Sequence, residues 1–173
     1  YIIGLGLQDA MEHLLPELDA ALYPQLVERY RHHFLVQDAT TGLFPGTADA
    51  VRKLHSGGHL LAIATGKSRR GLDRALGATG LTAYFHRTRC ADEGYSKPHP
   101  GMLQCLLDEF DVPAREALMI GDTTHDMDMA RAAGVDGLAV TYGAHGRDAL
   151  LGSSPLACVE RDHELWLWLE EHA

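Results

Sequence analysis

The sequence predicts an α/β fold in which a parallel β-sheet is covered on both faces by helices. Short apolar runs recur along the chain, and helical segments of about ten residues separate them, which is the pattern of βαβ units. Glycines mark the ends of many of these segments. The 173 residues are 46% apolar and 23% charged, an ordinary globular composition that excludes collagen, low-complexity and disordered chains.

The first part of the chain has a helical pattern. Apolar residues at helical spacing cover residues 7–15, and after Pro16 a second set covers residues 23–34. The stretch 40–46 is rich in turn residues, so we expect it to separate this helical piece from the rest of the chain.

The alternating part begins at Thr47, and its segments follow one another in a regular order. The predicted strands cover residues 60–64, 84–90, 117–120, 137–141 and 156–159. The predicted helices cover residues 48–54, 68–79, 100–110 and 126–133, and a last one begins at Asp162. The apolar run Leu60–Ala64 has the composition of a strand that is buried on both faces.

Charge and cysteine usage limit the partners and the compartment. Fifteen basic and 24 acidic residues give a net charge of −9, which argues against nucleic acid binding because that requires a basic surface. No apolar run approaches the roughly 18 residues of a membrane helix, and no secretory signal opens the chain. Cys90, Cys105 and Cys158 are scattered, so we expect free thiols in a reducing, cytoplasmic setting.

The first predicted strand is followed by Thr65 and Gly66, and Ser68 can begin the next helix. Ligands of open parallel sheets bind at the carboxyl ends of the strands, so this turn is a candidate oxyanion site. The Thr65 hydroxyl and the free N–H groups of the turn could bind a phosphate. The alternative is a turn that only caps the helix.

The second strand is followed by a lysine in a stiff turn. Lys97 lies between Ser96 and Pro98, and Pro100 follows His99. The prolines restrict the backbone, and a fixed lysine can neutralise a phosphate as a point charge. A surface lysine in a proline-rich turn is the alternative, and we expect His99 to be structural rather than catalytic.

The third strand is followed by two carboxylates, Asp122 and Asp126, at a strand-to-helix turn. Residues four apart can face one point, and carboxylate oxygens suit Mg²⁺. The alternative is that Asp126 caps the helix and Asp122 shapes the turn. A hydroxyl, a lysine and an acidic pair at successive strand ends are the parts that phosphoryl transfer requires.

Three segments carry a family resemblance: Leu60–Lys67, Ser96–Pro100 and Met119–Asp126. They resemble the second, third and fourth motifs of the haloacid dehalogenase-like hydrolases, and most of all the phosphoglycolate phosphatase-like branch. The resemblance implies a Rossmann-like core with an α-helical cap. Residues 1–40 would be the remainder of the cap, and residues 41–173 would be the core.

The resemblance also implies an activity and the residues that perform it. The family hydrolyses small phosphate monoesters through an aspartyl-phosphate with Mg²⁺, and phosphoglycolate is the substrate that the branch suggests. Thr65 and Gly66 would hold the phosphoryl group, and Lys97 would bridge that group and the nucleophile. Asp122 would bind Mg²⁺, and Asp126 would support the waters of the metal or Lys97.

The chain departs from the family pattern at its start. The first motif, Asp-x-Asp-Gly-Thr on the first strand, carries the nucleophile and is absent here. Asp9, Asp19, Asp38 and Asp49 all lie in helical or turn-like sequence. We therefore expect that the first strand is missing, that the chain is truncated at its N-terminus, and that the chain as written has no phosphatase turnover.

Two alternative functions remain to be compared with this one. A bacterial receiver domain also combines Asp, Thr, Lys and Mg²⁺, but its acidic pair precedes its lysine, whereas Asp122 follows Lys97 here. A non-catalytic binding protein that kept the fold is the other alternative. The retention of Thr65, Lys97 and Asp122 argues against it, and the absent first motif argues for it.

Overall fold

A computed structural model describes residues 2–38 and 42–172. In chain order the helices are α1 (Leu7–Leu14), α2 (Tyr23–Asp38), α3 (Thr47–Ser56), α4 (Arg69–Thr79), α5 (Gly101–Phe110), α6 (Thr124–Ala133), α7 (Arg147–Gly152) and α8 (Asp162–His172). The strands are β1 (Ala62–Thr65), β2 (Arg87–Cys90), β3 (Leu118–Gly121), β4 (Asp136–Val140) and β5 (Ala157–Val159).

All the strand pairings are parallel, as the alternating pattern predicts. Strand β1 pairs with β2, with Thr65 opposite Cys90. Strand β3 pairs with β4, and β4 pairs with β5. Helices connect the strands, so the predicted α/β fold with parallel sheets is confirmed. The carboxyl ends of β1, β2 and β3 carry the turns that the sequence singled out.

The strands form two separate sheets, one with the order β1-β2 and the other with the order β3-β4-β5. Strands β1 and β3 therefore each have one edge without a strand partner among the described residues. This changes the burial expected for the first apolar run: Leu60 is 51% exposed, Ala62 is exposed, and Ile120 in β3 is 37% exposed. The expectation that Leu60–Ala64 is buried on both faces is wrong, because Leu60 and Leu61 precede β1 and the strand itself has a partner on one edge alone among the described residues.

Several predicted boundaries move because of local turns. The second strand begins at Arg87, since Thr82–Tyr84 forms a 3-10 turn. The helix predicted from Asp126 begins at Thr124, because the Thr123 side chain caps it and Asp126 occupies its first turn. Helix α7 was not predicted from the sequence.

Helices bury their apolar faces against both sheets. One core cluster lies between α5 and α6 and includes Met102 and Met129, and another joins α4 to β2 through Leu72 and Cys90. A third joins β4 to α8, where Leu138 is fully buried. The three cysteines are free thiols, and burial raises the pKa of Cys90 to about 11. None of the described helices combines the length and the apolar character that a membrane span requires.

Helices α1 and α2 pack against each other through Met11, Tyr23 and Val27. The Tyr23 hydroxyl donates to the Leu15 carbonyl oxygen at 2.6 Å, so the start of α2 is bonded to the end of α1. The predicted boundary at residues 40 and 41 lies outside the described residues, so the division into 1–40 and 41–173 stays a prediction.

Candidate active site

The turn after β1 holds the Thr65 hydroxyl at the carboxyl end of the strand. Its oxygen accepts the Lys67 N–H at 3.1 Å, whereas the cap of α4 is Ser68, which accepts the Gly71 N–H at 3.3 Å. Thr65 is therefore not the cap of the helix. A hydroxyl that accepts one bond can still donate its own proton, so Thr65 can bind an oxyanion.

The segment Gly4–Gly6 connects the three strand ends. A Cβ at Gly66 would lie 2.6 Å from the Leu5 carbonyl oxygen. A Cβ at Gly4 would lie 2.8 Å from the Thr123 hydroxyl oxygen. Gly6 donates its N–H to the Ser96 Oγ at 3.0 Å. Because one short segment touches all three turns, the turns lie close together at one edge of the fold.

Lys97 and Asp126 form a buried ion pair. The Lys97 Nζ and the Asp126 Oδ1 are 2.5 Å apart, and the side chains are 9% and 4% exposed. The second carboxylate oxygen of Asp126 accepts the Thr123 N–H at 3.0 Å and the Thr123 hydroxyl at 2.7 Å. The alternative that Lys97 is a surface lysine is wrong, because the pair removes its ammonium group from solvent.

Asp126 has a structural role and a charge-pairing role. With Thr123 it forms a capping box at the start of α6, in which each side chain bonds to the backbone of the other residue. Its other oxygen bonds Lys97. The structure thus brings Asp126 to Lys97, which is one of the two partners that the family resemblance implied for it.

Asp122 is held by the loop that follows β4. The Ala144 N–H donates to the Asp122 Oδ2 at 2.9 Å, and the His145 N–H donates to the Asp122 carbonyl oxygen at 3.1 Å. Gly143 lies directly on the carboxylate, since a Cβ there would be 2.1 Å from the Asp122 Oδ2. The carboxylate is therefore positioned by backbone groups of another strand end.

His145 was missed by reasoning from the sequence. It is 5% exposed, and its Nδ1 accepts the Thr124 N–H at 3.1 Å. Burial lowers the pKa of His145, and the neighbouring His125 lowers it further, which favours the neutral ring. The sequence did carry one signal for His145: residues 143–145 follow a predicted strand, and the carboxyl ends of parallel strands meet at the edge where the other turns lie.

The residues present fit Mg²⁺ in its usual protein environment. Mg²⁺ binds through one or two carboxylates and keeps several waters or substrate oxygens. Asp122 supplies one carboxylate, whereas both oxygens of Asp126 accept hydrogen bonds from the protein. Over residues 2–38 and 42–172, no three His, Cys, Asp or Glu side chains cluster to form a complete metal cage. Asp122 as a direct ligand and Asp126 as an indirect one stay predictions.

Comparison with known proteins identifies the family. The sequence pattern described as "Haloacid dehalogenase-like hydrolase" matches residues 1–140, which is most of the chain. The chain belongs to the haloacid dehalogenase-like hydrolases. The resemblance carried by the segments after β1, β2 and β3 is thereby confirmed, and the match also extends over the helical piece at the start.

Two individual proteins are similar to most of the chain. The chain is 34% identical over 169 residues to a probable phosphatase IndB of Dickeya dadantii, covering 94% of this chain and 73% of that protein. It is 32% identical over 143 residues to a phosphoglycolate phosphatase of Aliivibrio fischeri, covering 80% of this chain and 62% of that protein. The chain thus spans less than the full length of these relatives.

A solved structure agrees with the fold. A hydrolase from Pseudomonas syringae superimposes with a TM-score of 0.89 over 99% of this chain and 80% of that chain, at 22% sequence identity. At this identity the likeness concerns the fold alone. It covers the helical piece and both sheets.

Proposed function

We propose that this chain is the larger part of a Mg²⁺-dependent phosphatase that hydrolyses a small, phosphoglycolate-like monoester through an aspartyl-phosphate. The observation that carries the proposal is the buried Lys97–Asp126 pair, at the end of the strand that Asp122 directly follows. Removing a lysine and a carboxylate from water costs several kcal/mol, and a hydrophobic pair would stabilise the fold as well or better. A site that must receive a dianionic phosphate gives a reason to retain the lysine.

Lys97 binds the transferring phosphoryl group. Its ammonium group has three donors, and one of them reaches the Asp126 Oδ1. The remaining donors would bind phosphoryl oxygens and the attacking carboxylate. Asp126 holds the ammonium group in place through this short bond, which is its part in the reaction.

Thr65 and Gly66 bind other oxygens of the same phosphoryl group. The Thr65 hydroxyl donates its proton to an oxygen while it accepts the Lys67 N–H. Gly66 lets the chain approach closely, because a Cβ there would meet the Leu5 carbonyl oxygen. Fixed donors of this kind act because they need no reorganisation as charge develops.

Asp122 is the carboxylate that would hold Mg²⁺ in this proposal. It lies at the carboxyl end of β3, and the Ala144 N–H fixes one of its oxygens. When bound, Mg²⁺ would neutralise negative charge on the phosphoryl oxygens. Asp126 contributes through Lys97 or through waters of the metal.

The nucleophile belongs to a strand outside the 173 residues in this proposal. Before Ala62, the described residues form helices and turns and contain no strand. The edges of β1 and β3 that lack a strand partner support a parallel strand inserted between them, which would join the two sheets. An aspartate at the end of such a strand would lie between Thr65 and Asp122.

The helical piece covers the site and selects the substrate. We assign residues 1–40 to the remainder of a cap and residues 41–173 to the core. The contacts of Gly4–Gly6 with the three turns support this assignment, because they place the start of the chain over the strand ends. The free thiols suit a reducing, cytoplasmic compartment.

The test uses the protein encoded by the complete reading frame of this chain. We expect it to release inorganic phosphate from phosphoglycolate or another small monoester, with Mg²⁺ required and with chelation abolishing the release. Asp122→Asn is the matched variant, since it keeps the shape of the side chain and removes the charge. Absence of phosphate release across a panel of monoesters and pyrophosphate would favour the non-catalytic binding protein.

The 173-residue chain alone is expected to have no turnover with Mg²⁺ in the same assay. The reason is that covalent catalysis requires the nucleophile of the first motif. Phosphate release by the purified chain, abolished by Lys97→Met, would show that the nucleophile lies within it.

A further inference from the structure

The loop after β4 and the turn after β3 are joined by hydrogen bonds in both directions. The Ala144 N–H binds the carboxylate of Asp122, and the His145 N–H binds its carbonyl oxygen. In the opposite direction, the Thr124 N–H donates to the His145 Nδ1. The loop therefore holds both the backbone and the side chain of the turn.

The side chain of His145 makes the bond that fixes the start of α6. Thr124 is the first residue of the helix, and the first N–H groups of a helix have no partner within it. The His145 Nδ1 provides that partner at 3.1 Å, and the ring is 5% exposed. Because Asp122 precedes Thr124 by two residues, a shift of this helix start moves Asp122.

We infer that His145 is a positioning residue for Asp122 and so sets the affinity of the site for Mg²⁺. The inference rests on the proposed function, since it takes Asp122 as the metal ligand. Groups that orient a ligand typically change metal affinity by about 10–100-fold when they are removed. The role requires a buried acceptor at the position of Nδ1 and does not require the ring to change its protonation state.

Two substitutions separate the acceptor from the volume of the side chain. His145→Leu removes the acceptor, whereas His145→Asn can present its Oδ1 to the Thr124 N–H. His86 provides a matched control, because its Nδ1 accepts the Leu61 N–H at 3.1 Å before the start of β1, away from the strand ends that form the site. His86→Leu thus removes the same type of hydrogen bond from a place remote from Asp122.

The experiment is a titration with Mg²⁺, followed by the amide resonances of Thr124 and Ala144 in the protein from the complete reading frame. We expect His145→Leu to raise the dissociation constant for Mg²⁺ by about 10–100-fold, and His145→Asn to restore most of the affinity. His86→Leu should leave the constant unchanged. Equal affinities in wild type and His145→Leu, together with loss of binding in Asp122→Asn, would overturn the inference while the proposed metal site stands.

A second measurement, on the wild-type protein, tests the inference if the His145→Leu variant fails to fold. The bond between the Thr124 nitrogen and the His145 Nδ1 should transmit a nitrogen–nitrogen scalar coupling in the wild-type protein, and absence of that coupling would overturn the inference. Failure of the proposed function has a different signature: Asp122→Asn would bind Mg²⁺ as the wild type does, whatever the His145 variants show.

Discussion

Replacement of Lys97 by Met is expected to lower the free energy of unfolding by about 3–5 kcal/mol. The substitution leaves the Asp126 side chain, which is 4% exposed, without its counter-charge, and among the described residues the two Thr123 donors remain to its carboxylate. It also removes the cation that binds the phosphoryl group, so kcat/KM should fall by about 10²–10³-fold or more. Urea unfolding and initial-rate kinetics measure the two effects separately.

The matched control for this prediction is Lys53→Met. Lys53 bonds Glu170 at 2.6 Å, but the two side chains are 68% and 52% exposed. A pair with such exposure contributes at most about 1 kcal/mol, so this variant should unfold close to wild type. Equal losses of stability in the two variants would contradict the assignment of Lys97 to a buried pair.

A double variant distinguishes the lost counter-charge from the lost volume. In Lys97→Met/Asp126→Asn the side chain at 126 is neutral, so the cost of an isolated buried charge disappears. We expect the double variant to be more stable than Lys97→Met alone and to remain inactive. This combination separates the electrostatic cause of the instability from the chemical role of the lysine.

The alternation of strands and helices was predictable because each element carries a local signal. Ser68 and Gly80 bound α4, and Gly134 ends α6, as their conformational preferences dictate. Thr65, Lys97 and Asp122 could be placed at one edge since the carboxyl ends of parallel strands share an edge. These inferences needed no knowledge of tertiary contacts.

Other features depend on contacts between distant residues and could not be predicted. Ile120 is exposed in β3, which has a strand partner on one edge alone among the described residues, and no local pattern records this division of the sheet. The family resemblance left Asp126 two partners, the waters of the metal or Lys97, and the buried pair between residues 29 positions apart could be recognised from the structure alone. The support of Asp122 by Ala144 joins residues 22 positions apart and uses a backbone group, which every residue except proline possesses.

Gly121→Ala is expected to cost about 3 kcal/mol or more in the free energy of unfolding. A Cβ at Gly121 would lie 2.2 Å from the Cβ of Asp126 and 2.5 Å from its Cγ, so one of the two residues must move. Asp126 is held by Lys97 and by both donors of Thr123, so it has little freedom to move. Thermal unfolding should detect the loss, and a shift of Asp126 by about 1 Å should lower kcat/KM by about 10²-fold.

The control for the added methyl group is Gly77→Ala. Gly77 lies inside α4 on an exposed face, and among the described residues a Cβ there would meet no atom within 4 Å beyond its chain neighbours and the backbone of the helix itself. The substitution should therefore raise stability by about 0.5–1 kcal/mol, because alanine favours the helix over glycine. The same chemical change is thus expected to act with opposite signs at the two positions. If Gly121→Ala were as stable as wild type, the carboxylate of Asp126 could not occupy the place from which it holds Lys97.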